Sequence, residues 1–244
     1  MRSAMTIVTL ILSAGIATAS TNRVLSLDGD GDCIVVPHHA SLDLTNFTIE
    51  CWVYPSSVAG DHGLVVKGRD IGENYSLDLV SPSLLGTPSR FTDASRIGVG
   101  EVGTNRYILT ANKWQHVAVS YDGTIGRIFV DGILWSSNVI GKTAAFSSEE
   151  LTIGAERLSG GSLGRFFVGF IDEVRIWNHA ISECDASKTI HTPLTGDELG
   201  LVGYWNFDDE TAIDGSPNGN NGTFMGDAIT TPDPVATNAI YWAV

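Results

Sequence analysis

Apolar residues recur along the chain in short runs, and within each run they alternate with polar ones at a period of two. That spacing suits strands with one buried face. The runs at 24–27, 33–36, 47–54, 63–67, 75–80, 96–102, 115–121, 126–131, 151–154, 168–177 and 201–207 are predicted strands. The 27 glycines punctuate these runs, which is the pattern of an all-β sandwich. Asp122-Gly123 and Asp131-Gly132 are turn dipeptides that tolerate positive φ, and they make 115–135 a predicted meander. Only 182–190 reads as a helix, and a short one. In 47–54, alternation puts Phe47, Ile49, Cys51 and Val53 on one face and Glu50, Trp52 and Tyr54 on the other. In 171–177 it groups Val174 and Ile176 with Asp172, and Glu173 with Arg175 and Trp177. Where the two acidic faces meet, Arg175 is placed to bridge Glu50 or Glu173.

Charge and composition narrow the partners. Among 244 residues, 28 Asp and Glu face 14 Lys and Arg, for a net charge of −14. Phosphate backbones and anionic membrane surfaces are bound by basic side chains, so neither is an expected partner. Residues 1–19 have the form of a secretory signal: Arg2, an apolar stretch over 5–16, then Ala17-Thr18-Ala19. The mature chain, 20–244, is expected to be one secreted domain, although a break near 193–196 would leave room for the start of a second module. Three cysteines in an oxidising compartment allow one internal bridge. Cys33 and Cys51, both in strand-like runs, are the expected pair; Cys184 is left free or crosslinks a partner. Asn46, Asn74 and Asn221 head N-x-S/T sequons.

An ordered series of blocks then carries a family resemblance. It runs from Leu27-Asp28-Gly29 and Asp32-Cys33-Ile34-Val35-Val36-Pro37 through Phe47-Thr48-Ile49-Glu50-Cys51-Trp52-Val53 to Lys113-Trp114-Gln115-His116-Val117-Ala118-Val119. It continues with Ile128-Phe129-Val130-Asp131-Gly132, Leu151-Thr152-Ile153-Gly154 and Gly169-Phe170-Ile171-Asp172-Glu173-Val174-Arg175-Ile176-Trp177. The series resembles the concanavalin A-like jelly-roll group, in particular its laminin-G-like and pentraxin-like domains. The resemblance implies a two-sheet antiparallel jelly roll; lectins, adhesion modules and hydrolases all use that fold. The segment 200–208 with 219–223 resembles a closing strand and loop of such domains.

The same resemblance suggests where to look for chemistry. Hydrolases of this fold carry carboxylates at i, i+2 or i+4 of one strand. Here Glu173-Val174-Arg175-Ile176-Trp177 has Arg and Trp at those later positions. Glu50 and Glu173, held by Arg175, therefore read as a structural ion pair, and no catalytic residue is expected. Asp28, Asp30 and Asp32, alternating with glycines, are candidate calcium ligands. The pentraxin resemblance adds Asp70 and Glu156, but Ile71 and Arg157-Leu158 stand where that family has further oxygen ligands. Trp135 and Arg157 are the candidate ligand-binding residues. The expectation is a secreted, non-enzymatic module binding carbohydrate or an extracellular protein, with calcium as a candidate cofactor. A polysaccharide hydrolase or lyase, or a structural adhesion domain, are the alternatives.

Overall fold

The computed structural model describes residues 22–69, 74–80, 84–86, 88–90, 96–98, 109–141 and 143–235. The strands, in chain order, are β1 (Arg23–Asp28), β2 (Cys33–Val36), β3 (Phe47–Pro55), β4 (His62–Lys67), β5 (Tyr75–Val80), β6 (Leu84–Gly86), β7 (Pro88–Arg90) and β8 (Arg96–Gly98). They continue with β9 (Gln115–Tyr121), β10 (Ile125–Val130), β11 (Ile133–Val139), β12 (Leu151–Ile153), β13 (Glu156–Arg157), β14 (Leu163–Gly164) and β15 (Val168–Trp177). After helix α1 (Glu183–Thr189) come β16 (Leu201–Trp205), β17 (Thr223–Met225) and β18 (Ile229–Pro232).

Two antiparallel sheets face each other as a jelly-roll sandwich. The large sheet has the order β11-β10-β9-β3-β15-β1-β18, with β16 also paired to β15. The small sheet has the order β17-β2-β12-β4-β5-β6. Between them lies one core, to which alternate residues of each strand contribute: Leu25 and Leu27, Ile34 and Val36, Phe47, Ile49, Cys51 and Val53, Val117 and Val119. Each such aliphatic side chain stabilises the fold by about 1.5–3 kcal/mol when fully buried.

A bulge in β15 changes which residues share a face. Across β3, Asp172 pairs with Trp52 and Arg175 pairs with Glu50, so three steps on β15 match two on β3. Glu173 is the extra residue, at φ 52°. Strict alternation had grouped Asp172 with Val174 and Ile176. In the structure Ile171, Val174 and Ile176 all enter the core, and Asp172, like Arg175, turns to the outer face.

The expected Cys33–Cys51 bridge is not formed; Cys33, Cys51 and Cys184 are free thiols. Cys51 points into the core from the large sheet. On β2 of the small sheet it is Ile34 and Val36 that enter the core, so Cys33 faces the opposite way. Burial pushes the Cys33 thiol up to about 11 and raises Cys51 further, so both resist ionisation.

The segment between β15 and β16 folds back over the outer face of the large sheet. Polar residues on that face hold it by capturing backbone groups that have no strand partner. Thr48 Oγ1 donates to His179 O at 2.7 Å and accepts from Ile181 N at 2.9 Å. Trp52 Nε1 donates to Ile190 O at 3.3 Å. Ile181 and Ala186 pack on Ala118 and Phe129, so α1 caps the β9–β10 region.

Candidate functional site

The two acids singled out by the sequence lie on this covered outer face. Glu50 is 0% exposed and Arg175 1%. Arg175 Nη2 donates to Glu173 Oε2 at 2.6 Å, and Arg175 Nη1 lies 3.8 Å from Glu50 Oε1. Glu50 Oε1 also accepts from Trp177 Nε1 at 2.9 Å, and His116 Nε2 stands 3.5 Å from Glu50 Oε2. Glu173 accepts from the Tyr204 hydroxyl at 2.9 Å. The remaining reach of Arg175 goes to Thr192 O, at 3.1 Å, in the covering segment. Burial alone would raise Glu50, but the His116 hydrogen bond, the charges of His116 and Arg175, and the Trp177 bond outweigh it and hold the carboxyl low. A general acid needs the opposite shift.

Asp172 differs. It is fully buried beside Glu173, and burial followed by that neighbouring charge raises it well above the usual carboxylate range, despite hydrogen bonds from Asn22 and its own neighbour's N–H. Sequence reasoning missed Asp172, His116 and Tyr204 as members of this cluster. The signal for Asp172 was hidden by the bulge; Tyr204 and Thr192 reach it from segments distant along the chain.

The loop acids are brought together only in part. Asp28 and Asp32 are joined by Asp227, with ligand atoms of all three within 4.8 Å of one another. Asp30 is not in the group; its backbone N–H donates to Asp28 Oδ1 at 2.7 Å. Asp32 is buried and accepts from the N–H groups of Asp28 and Asp227. Asp227 comes from the turn between β17 and β18, beyond any spacing motif. These three are the described residues that could hold a cation. Asp70 lies outside the described residues. Glu156 is buried and pairs with Arg165.

The candidate ligand residues also have definite surroundings. Arg157 pairs with Glu150 and donates to Gly161 O, and Arg69 pairs with Glu149 at 2.7 Å. Arg69, Arg157 and Arg165 thus each answer a glutamate, and the rim network is neutral. Trp135 sits on edge strand β11 and is 44% exposed. The β10–β11 register slips there, pairing Ile128 with Ser136 and Phe129 with Leu134, so Trp135 is the unpaired residue of a bulge.

The family model for the concanavalin A-like lectin/glucanases superfamily matches residues 28–187. The chain belongs to this superfamily. No functionally curated protein matches it. Among solved structures, one similar fold is a Bacteroides ovatus protein classed as a candidate carbohydrate-binding protein, 21% identical with a TM-score of 0.67. That match covers 87% of this chain and 60% of the other, so the chain spans less than two thirds of that relative. A heptameric pentraxin of Limulus polyphemus is 15% identical, with a TM-score of 0.52 over 70% of this chain and 82% of its own. The carbohydrate-binding module of a Ruminococcus gnavus sialidase, solved with α2,3-sialyllactose, is 14% identical, with a TM-score of 0.51 over 67% and 95%. At these identities the likeness establishes the fold. As a superfamily member this chain keeps the sandwich and closes the large sheet's outer face around Arg175, with Trp135 exposed at its edge.

Proposed function

We propose that this protein is an exported, non-enzymatic carbohydrate-binding module. The observation that carries the reading is the closure of the large sheet's outer face: Glu50 and Glu173 are buried, tied to Arg175 and roofed by the segment that supplies Thr192 O. No substrate reaches carboxyls held that way, so recognition falls to exposed loops and edges, where ligand choice varies on a fixed scaffold. The similar folds of the Bacteroides and Ruminococcus proteins support the same reading. A glycan array probed with the mature chain tests it, in parallel with assays for release of reducing ends or unsaturated products from polysaccharides. Binding without cleavage, unchanged by Glu50→Gln in a folded protein, is the expected result. Cleavage that Glu50→Gln abolishes would make the protein an enzyme instead.

Calcium enters the proposal at Asp28, Asp32 and Asp227. An ion held only by the native state raises stability, so calcium is expected to raise Tm and Asp227→Asn to remove the rise. An unchanged Tm takes calcium out of the reading.

A further inference from the structure

A small cavity opens where the loop after β2 meets the loop before β17. It is lined by Pro37, His38, His39, Gly219, Asn220 and Asn221 and has a volume of about 190 Å³. We propose that this cavity is a binding subsite for a single neutral hexose ring. The inference rests on the carbohydrate-binding reading and gives it a location.

Size comes first. Pockets for drug-sized ligands run to roughly 300–1,000 Å³, so this one suits a monosaccharide unit or chain end. Its lining is mostly apolar with a few polar groups: the proline ring, two imidazoles and two carboxamides, with no Lys, Arg, Asp or Glu. The net charge of −14 further disfavours an anionic ligand. No guanidinium lines the pocket to take an acidic sugar; those of Arg69, Arg157 and Arg165 are each engaged by a glutamate.

The lining groups are fixed and their free ends are defined. His39 Nδ1 is held by Ser41, with Oγ at 2.8 Å and N at 3.3 Å, which leaves Nε2 as the free ring nitrogen. Ser41 Oγ is bonded in turn to Asn220 Oδ1 at 3.2 Å, joining the two loops. Asn220 is buried, with its amide nitrogen on Val202 O at 2.9 Å. Asn221 Oδ1 accepts from Asp214 N at 3.0 Å, which leaves its Nδ2 as a spare donor. Behind His38, the buried Lys67 ammonium sits 3.3 Å from His38 Nδ1 and holds that ring from beneath. His39 Nε2 and Asn221 Nδ2 are therefore the nitrogens left for a ligand's hydroxyls. Gly219, at φ +65°, keeps the mouth clear; nothing lies within 4 Å of where its Cβ would be.

Three substitutions probe the pocket while sparing its scaffold. His39→Asn keeps an acceptor at the N-cap of the short 3₁₀ turn Ala40–Leu42 and removes the free Nε2. Asn221→Asp keeps the acceptor for Asp214 N and removes the spare donor. Gly219→Asn adds a side chain at the mouth in a conformation Asn tolerates. The mature chain is made in a host without N-glycosylation, because Asn221 heads a sequon, and Tm is measured for each variant. Binding of methyl glycosides of glucose, galactose, mannose and N-acetylglucosamine is followed by saturation-transfer NMR, beside the glycan array. At least one hexoside is expected to bind, with affinity falling tenfold or more in variants that keep the wild-type Tm. Glycan binding that persists unchanged in all the folded variants overturns the pocket and leaves the carbohydrate-binding reading standing. Failure of the wild-type chain to bind any array glycan overturns both.

Discussion

Arg175 is the residue on which the closed face depends. It neutralises Glu173 at 2.6 Å, supports Glu50 at 3.8 Å and donates to Thr192 O. Removing one partner of a buried ionic group strands the others, which costs about 3–5 kcal/mol. Arg175→Met is expected to lose that much at neutral pH by urea denaturation. Combining it with Glu50→Gln and Glu173→Gln should recover a large part; a triple variant no more stable than the single would contradict this account. The acids respond to pH in opposite senses. Glu50 is held low by His116 and Arg175 against its own burial. Its contribution is present above the unfolded carboxylate value of about 4.3 and is lost as pH falls through the lower folded value. Asp172 is raised by burial and by Glu173. Its contribution is present below about 3.9 and is lost as pH rises through the higher folded value. Asp172→Asn should therefore gain on wild type as pH climbs from about 4 towards neutrality. Parallel stability curves for the two proteins would show that Asp172 carries no such linkage. Glu50 and Arg175 were legible as partners because plain alternation on β3 and β15 suffices to bring them together. Asp172 was not, since a one-residue bulge is invisible to a period-two rule.

At the scale of elements, α1 and its flanking loops are what convert an open sheet into a closed one. The helix is only seven residues, Glu183–Thr189, too short to be stable alone; packing on Ala118 and Phe129 through Ile181 and Ala186 holds it. The approach is close at the β10–β11 turn, where a Cβ on Gly132 would lie 2.7 Å from Ser187 Cα, and Gly132 has φ +73°. Gly132→Ala should lower stability by about 1–3 kcal/mol, combining a strained backbone with forced displacement of α1. Hydrogen exchange should localise the loosening to 181–190 and to the amides under it; exchange unchanged there would mean that the helix does not seat on this turn. The helix was legible from its composition, and the strands it covers from their apolar spacing. Its position was not, because Thr48, Trp52 and Arg175 look in sequence like polar residues on a solvent face. Their partners are carbonyls, His179 O, Ile190 O and Thr192 O, and backbone carbonyls carry no sequence signature. The pocket escaped notice for a related reason, since two loops about 180 residues apart create it together.

For the whole molecule, the tail after α1 decides whether the sandwich closes. The superfamily match ends at residue 187, yet β16 pairs with β15, β17 with β2 and β18 with β1. Crossing twice between the sheets, the tail covers an exposed edge at each stop; such edges otherwise invite pairing with other chains. It also carries Val202, Trp205 and Phe207 into the shared core, all of them buried. At about 1.5–3 kcal/mol each, these three side chains alone match the about 5–15 kcal/mol by which a domain is stable. A chain trimmed to 20–196 is therefore expected to lose the cooperative unfolding transition and the dispersed amide spectrum of the full chain, and to aggregate through its uncovered edges. Adding 197–235 as a separate peptide should restore part of the dispersion, because the missing strands dock on edges already formed by β1, β2 and β15. A trimmed chain that folds with wild-type Tm would assign the tail to a separate module and remove Asp227, Asn220 and Asn221 from the sandwich, taking the proposed cation and hexose positions with them.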